Sequence, residues 1–195
     1  MDSIISRRSI RRFKPEPVPQ ELIEAVAEAG RLAPSAKNRQ PWKYIVYQGR
    51  AKAGLLEVMA EALRREQDKP ELLPECAWGL PDAFNTLRVM QEAPVLIMVM
   101  NINGGSPFAP IDREGRLAEI SDSLAIGASV ENMLLRGTEL GLGTLWIGNT
   151  CFAYEALAEF IGESGQLAGA VALGYPAEQP LARPRKALAE ILEYR

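Results

Sequence analysis

The sequence predicts an α+β fold in which helices cover both faces of a sheet. Amphipathic helical segments alternate with strand-like segments along the 195 residues, without an internal repeat or a domain linker. Residues 94–100 (PVLIMVM) form a continuous apolar run, which is typical of a strand covered on both faces. A long segment from Glu114 to Leu140 is apolar on two sides and is therefore predicted to be a central helix. We expect one domain over residues 1–195.

Periodicity and turn residues give the boundaries of the predicted elements. In residues 19–30 (PQELIEAVAEAG) apolar side chains recur at helical spacing, and Gly30 suits a helix end. Residues 43–47 are rich in β-forming residues and follow Pro41, which favours extended backbone. In chain order, we predict helices at 19–30, 50–65, 114–140, 154–161 and 186–192, and strands at 43–47, 94–100, 144–147 and 167–173.

Two stretches between these elements are predicted to be irregular. Residues 67–88 contain three prolines and are expected to form an excursion with one short helix. Residues 101–112 contain Gly104-Gly105 and two prolines, which predicts a loop.

The long helix carries two apolar stripes, and a chain of this length has little core for both of them. We expect one stripe to be buried by another subunit. The first stripe is Leu117, Ile120 and Leu124, and the second is Ile126, Val130, Met133 and Leu134.

Composition excludes several classes of protein. The net charge of −3 and the pI of about 5.3 argue against a nucleic-acid binder. Cys76 and Cys151 are far apart in sequence without metal-ligand spacing, so we expect reduced thiols in a cytoplasmic protein. The apolar run is too short to span a bilayer. The chain has no histidine, which removes Ser-His triads and favours chemistry carried by a cofactor.

Three polar or glycine-rich constellations remain as candidate sites. Five basic residues lie between positions 7 and 14, in the segment RRSIRRFK. They form either a solvated patch, a membrane or nucleic-acid contact, or a site for one phosphate, since guanidinium groups bind phosphate bidentately. Arg183-Pro-Arg185-Lys186 is either a solvated turn or further charge around that phosphate. Residues 141–148 (GLGTLWIG) predict a helix end and a buried strand, and the final glycine would let a flat ligand approach the backbone.

Taken together, four segments in this order resemble the FMN-dependent nitroreductase family over nearly the whole chain. The N-terminal RRSIRRF resembles the family's Arg-Arg-Ser-x-Arg segment, and APSAKNRQPWKYIV resembles its Pro-Ser-x-x-Asn-x-Gln-Pro-Trp segment. ENMLLRGTELGLGTLWIG is similar to its long dimer helix and Gly-Leu-Gly strand, and GYPAEQPLARPRKALAEIL is similar to its C-terminal segment. No single motif is specific, but the ordered set of four is.

The resemblance implies a nitroreductase-like three-layer sandwich with a central, mostly antiparallel sheet, assembled as an intertwined homodimer with FMN sites at the interface. It implies an enzyme that takes hydride from NADH or NADPH and reduces a small acceptor by a ping-pong mechanism. Nitroaromatics, quinones, enones and flavins are the acceptor classes of the family. No metal, nucleic acid or membrane partner is implied.

The resemblance also implies site residues. Arg7, Arg8 and Ser9 would flank the phosphate or ribityl chain, and Arg11 would act electrostatically near N1 and O2 of the ring. FMN would carry the chemistry, so no protein residue is predicted to be catalytic in its own right. The remaining predicted contacts are Pro34, Ser35 and Asn38 from the partner subunit, Trp146, Ile147 and Gly148 behind the ring, and Arg185 and Lys186 at the phosphate.

Several alternatives stay open at the level of sequence. Residues 67–88 and 101–112 are expected to decide the acceptor, but neither segment names one. Trp78 and Phe84 either stack on an aromatic acceptor or pack into the protein, and we favour packing. A flavin carrier or sensor without turnover is the alternative function, and an anion-binding protein without flavin is a third reading.

Overall fold

A computed structural model describes residues 2–195 and contains a four-stranded antiparallel sheet. The strands are β1 (Trp42–Tyr47), β2 (Val95–Asn101), β3 (Gly143–Ile147) and β4 (Gln166–Gly174). Their order in the sheet is β1-β2-β4-β3, so β1 and β3 form the two edges. All seven residues of β2 are buried, as the continuous apolar run predicts.

Five of the six helices, α2 to α6, form layers on the two faces of this sheet and give the predicted three-layer α+β sandwich. One layer packs α2 against the long α5, and the other packs α3 against α4 and α6. The helices are α1 (Ser3–Ser6), α2 (Gln20–Arg31), α3 (Gly49–Asp68), α4 (Leu80–Glu92), α5 (Arg113–Glu139) and α6 (Tyr154–Ile161). Short 3₁₀ turns occur at Ala36–Asn38, Pro74–Gly79, Asn149–Ala153 and Leu188–Glu190. That residues 1–195 form a single domain stays a prediction.

The ends of α5 follow from local chemistry. The Asp112 carboxylate accepts a hydrogen bond from the Gly115 N–H at 2.7 Å and caps the first turn. At the other end Gly141 adopts a φ of +75°, where glycine has no steric penalty. The Leu142 N–H then bonds to the Gly137 carbonyl at 2.8 Å and closes the last turn.

Two sequence predictions of secondary structure are wrong. The helix within residues 67–88 is not short, because α4 has 13 residues and continues to Glu92. Pro81 is the second residue of this helix and does not break it, since a proline in the first turn gives up no helical hydrogen bond. The helix predicted at 186–192 is only the 3₁₀ turn at Leu188–Glu190, whose side chains are exposed and gain no packing against the rest of the chain.

The two stripes of α5 have different surroundings. The stripe from Ile126 to Leu134 is buried against the sheet and α2, as predicted. The other stripe is exposed in the single chain, with 69% of Leu117 and 71% of Leu124 accessible. Its burial by another subunit, and the intertwined homodimer, stay predictions. Among residues 2–195, no helix is both long and apolar enough to cross a membrane.

Candidate cofactor-binding site

The N-terminal segment after α1 lies along the β3 edge of the sheet. Ser9 forms a parallel bridge with Thr144, and the Ile10 N–H bonds to the Thr144 carbonyl at 3.0 Å. The Arg12 carbonyl accepts from the Ala177 N–H at 2.9 Å, in the segment that follows β4. The two polar segments that the sequence singled out, near positions 7–14 and 174–186, are therefore neighbours in space.

Glu178 fixes the backbone at this junction. Its carboxylate accepts from the backbone N–H groups of Arg11, at 2.5 Å, and of Arg12, at 3.2 Å. Because the carboxylate is engaged with backbone donors, it holds the segment without forming an ion pair with either guanidinium. Nothing in the sequence pattern points to this role of Glu178.

A cavity of about 600 Å³ lies between these two segments. Of the predicted cofactor contacts, the structure brings Arg7, Arg8, Ser9 and Arg185 to its walls, together with Arg11, for which the resemblance implies a place near the ring. It also places Arg183 there, which the run Arg-Pro-Arg-Lys contained but the predicted site left out. Lys186 is exposed and does not line the cavity. We call this space the arginine cavity.

Most of the charge at the arginine cavity is uncompensated. Arg7 pairs with Glu131 on α5 at 3.4 Å. Within residues 2–195, the guanidinium groups of Arg8, Arg11 and Arg185 hydrogen-bond only to nearby backbone carbonyls, at 2.7–3.3 Å. Several free guanidinium groups around one cavity favour an anion with several oxygens, such as a phosphate.

The far end of β3 presents a different surface. Trp146 is 45% exposed on the α5 side of the sheet, and its ring lies over Gly127, where an added Cβ would be 3.7 Å from Cη2. Ile147 is buried on the opposite face. An added Cβ on Gly148 would meet no atom within 4 Å, so open space lies above this backbone. Thr144, next to the arginine cavity, and Gly148 are four residues apart, about 13 Å along a strand.

Asn149 anchors the turn that follows Gly148. Its side-chain amide donates to Asp82 at 2.7 Å and to Thr86 at 3.1 Å, both on α4. The backbone of Gly148 is therefore held by a helix of the opposite layer. The sequence gives little indication of this contact between Asn149 and α4, because Asn149 follows the glycine-rich segment without any motif of its own.

The loop before β1 has a strained conformation. Three non-glycine residues have positive φ values, namely Lys37 (52°), Asn38 (55°) and Gln40 (47°). Asparagine tolerates this region, whereas lysine and glutamine seldom adopt it. The Ser35 hydroxyl accepts from the Gln40 N–H at 2.9 Å and closes the loop. Pro34 and Asn38 are exposed, and Ser35 is half-buried.

One chain does not bring this loop to the arginine cavity. The loop precedes Trp42 at the β1 edge, whereas Ser9 pairs with the outer side of β3, four strand spacings or about 19 Å away. The register also places them at opposite ends of the strands, because Trp42 aligns with Gln166 and Thr144 aligns with Leu173. Pro34, Ser35 and Asn38 thus lie at one corner of the sheet, diagonally opposite the arginine cavity.

The side chains discussed as acceptor contacts have separate environments. Phe84 packs against the core on the α3 and α4 side, as we favoured. The prediction that Trp78 packs into the protein is wrong, because this side chain is 83% exposed in the excursion before α4.

Burial raises the pKa of the Cys151 thiol after Gly148, which keeps it protonated and unreactive near neutral pH.

Comparison with known proteins places this geometry in a family context. The model of the nitroreductase family matches residues 4–175. The candidate NAD(P)H nitroreductase YfhC of Bacillus subtilis is 30% identical over 187 residues, which cover 94% of this chain and 88% of that protein.

Solved structures are similar over the same length. A candidate nitroreductase of Desulfovibrio desulfuricans in complex with FMN superposes with a TM-score of 0.73 at 28% identity, covering 99% of this chain and 94% of the other. The FMN-dependent nitroreductase NfnB of Mycobacterium smegmatis, solved with NADPH, has a TM-score of 0.77 at 22% identity, with 99% and 96% covered. At that identity the second similarity concerns the fold alone.

Proposed function

This chain belongs to the nitroreductase family, and from that premise we propose that it reduces a small organic acceptor with electrons taken from NAD(P)H through bound FMN. The observation that carries the proposal is the arginine cavity, where two segments distant in sequence place uncompensated guanidinium groups around one space. A phosphate-bearing cofactor fits this donor set. The relative with FMN bound, at 28% identity, supports FMN as that cofactor.

The chain's own residues would hold the two ends of the cofactor differently. Arg8, Arg185 and the additional Arg183 would bind the phosphate, with Arg7 and Ser9 beside it. Trp146, Ile147 and the open backbone at Gly148 would lie behind a flat ring. Because β3 runs from the arginine cavity towards Gly148, one rigid strand would align both ends.

FMN, when bound, accepts a hydride from NAD(P)H and passes two electrons to the second substrate in a separate half-reaction. Arg11 would favour the first half-reaction by placing a fixed positive charge where negative charge develops. The chain has no histidine, so solvent would supply the protons. Nitroaromatics, quinones, enones and flavins are the proposed acceptor classes, and a nitro compound is a convenient test acceptor.

A complete site would need two chains. Pro34, Ser35 and Asn38 lie diagonally across the sheet from the arginine cavity, so they would reach the cofactor held by a partner chain. The exposed stripe of α5 supports this arrangement, since it offers an apolar face beside the half-exposed Trp146. We therefore propose an obligate homodimer with two sites, each built from both chains.

The test is an anaerobic stopped-flow experiment in which the purified protein is mixed separately with NADH and with NADPH. Rapid loss of the flavin band near ~450 nm is expected with at least one nucleotide, and the comparison gives the preference. A bound flavin that stays oxidised with both would support a carrier or sensor instead. A chain that binds no flavin even after FMN is added would overturn the proposal.

A further inference from the structure

The strained loop before β1 is held in place by a buried carboxylate on α5. The Arg39 guanidinium donates to Asp122 Oδ2 at 2.9 Å, across 83 positions of sequence. The Asp122 side chain is 3% exposed, and the Arg39 side chain is 38% exposed. A carboxylate this deeply buried is retained only with strong partners, because its desolvation is costly.

The same oxygen also anchors a second loop. The Asn103 amide donates to Asp122 Oδ2 at 3.3 Å, just after β2, where the loop 102–112 begins. The Asn103 N–H in turn bonds to the side chain of Asn101 at 3.1 Å. Asp122 therefore joins the loop proposed to contact FMN to the loop expected to shape the acceptor site.

Arg39 lies within the strained part of its loop, so its contact with Asp122 acts on the conformation of that loop. Arg39 lies between Asn38 and Gln40, both of which have positive φ. Left-handed backbone is unfavourable at non-glycine residues and persists only where surrounding contacts hold it. Within residues 2–195, the ion pair with Asp122 is the side-chain hydrogen bond that joins residues 35–40 to a helix, whereas the bond between Ser35 and the Gln40 N–H lies within the loop.

We propose that Asp122 is a positioning residue that sets the conformation of the cofactor-contacting loop through Arg39 and couples it to the loop 102–112. This inference rests on the proposed function, because it concerns the loop that would contact FMN. Asp122 touches no reacting group. It lowers the cost of FMN binding by keeping the Ser35 and Asn38 contacts ordered before the cofactor arrives.

The experiment measures the FMN dissociation constant by flavin fluorescence on serial dilution of the holoprotein, for the wild type, Asp122→Asn, Arg39→Gln and the double variant. Asp122→Asn keeps an acceptor oxygen for Asn103 but removes the charge that holds Arg39. We expect each single variant to weaken FMN binding by about tenfold. The double variant should be no weaker than the worse single one, since both remove the same contact.

Two further variants separate positioning from folding. Arg39→Lys keeps the charge and should recover part of the affinity lost in Arg39→Gln. Lys43→Gln is the matched control, because Lys43 on β1 forms a long-range ion pair at 2.6 Å with Glu163, in the connection between α6 and β4. This variant should leave FMN affinity unchanged. Arg39 is partly exposed, so its variants are expected to fold even where Asp122→Asn does not.

The outcomes are distinct. Lower melting temperatures with unchanged FMN affinity would assign Asp122 a merely structural role and overturn the inference. Equal weakening by Lys43→Gln would overturn it as well, because the effect would not belong to the loop. A wild-type chain that holds no FMN would overturn the proposed function and this inference together, whereas a normal wild type with unaffected variants would overturn only this inference.

Discussion

Arg11 contributes to the arginine cavity in two separable ways. Its backbone N–H is held by Glu178, whereas its guanidinium bonds only weakly, at 3.3 Å, to the Ser9 carbonyl. Replacing the side chain should therefore leave the segment in place. We expect Arg11→Ala to slow flavin reduction by NAD(P)H by roughly tenfold, because a fixed charge near the developing negative charge is lost. Stopped-flow absorbance checks the rate, and sedimentation should show an unchanged oligomer. An unchanged rate would remove Arg11 from this role.

Ser35 closes the loop before β1 through one hydrogen bond. Ser35→Ala leaves the Gln40 N–H without its acceptor, at a cost of about 1 kcal/mol. Since Ser35 is also a proposed contact of FMN, we expect weaker FMN retention, measured by dilution and flavin fluorescence. Ser106→Ala is a suitable control, because Ser106 makes a similar turn bond to the Phe108 N–H in another loop. Equal losses in both variants would argue against a specific contact of Ser35.

Single side chains show what the sequence could and could not reveal. The arginines at 7, 8, 11 and 185 were found because their density is unusual in an acidic chain. The Arg39–Asp122 pair is not predictable in the same way, because it joins residues 83 positions apart, Arg39 is a variable position of its motif and Asp122 belongs to none. The positive φ values at Lys37 and Gln40 were equally hidden, since those residue types predict no left-handed backbone.

Helix α5 is the element whose exposed apolar stripe we expect a partner chain to cover. Its exposed stripe would be covered in the proposed homodimer, so an acidic residue there would place a charge in an apolar interface. We expect Leu124→Glu to yield monomers that lose FMN, as measured by sedimentation and by flavin absorbance.

The control for this prediction lies in the opposite layer. Trp78 is exposed in the excursion beside α4, so Trp78→Glu makes the same apolar-to-acid change away from α5. The dimer should survive it. A dimeric Leu124→Glu chain with normal flavin content would show that the stripe is not the interface.

Elements with strong periodicity or continuous apolar character were predictable, and the strands and the helices α2, α3, α5 and α6 lie where expected. The errors at α4 and at 186–192 have a common cause. Local propensity does not say which segments find a surface to pack on: α4 buries Leu80, Leu87 and Met90 against the core, whereas the side chains of residues 186–192 stay exposed.

The molecule as a whole lacks the side chain that titrates near neutral pH, because it has no histidine. Burial, and to a lesser degree Glu163, raises the pKa of Tyr47 above its ordinary value. Burial likewise raises the pKa of Tyr44 and Tyr154. A pKa that is higher in the folded than in the unfolded chain stabilises the fold below the unfolded value of about 10, and this stability is lost as the pH rises through the folded value.

We therefore expect the melting temperature to change little between about pH 6 and 8 and to fall steeply above about pH 10. Tyr47→Phe should make the alkaline fall shallower, because Tyr47 is buried and forms no side-chain hydrogen bond among residues 2–195. Tyr194→Phe, at an exposed position, should leave the curve as in the wild type. A steep loss of stability near pH 7 would contradict this account.

In the proposed homodimer, the diagonal separation of the arginine cavity and the loop before β1 means that each site would take its arginine cavity from one chain and its loop from the other. In a heterodimer with Arg11→Ala on one chain and Ser35→Ala on the other, one site would carry both substitutions and the other site would carry neither. Two separately impaired proteins should therefore complement each other after unfolding and refolding together, and recover up to about half the wild-type activity per mixed pair. If both groups served the same chain's pocket, every pocket would stay damaged and mixing would restore nothing.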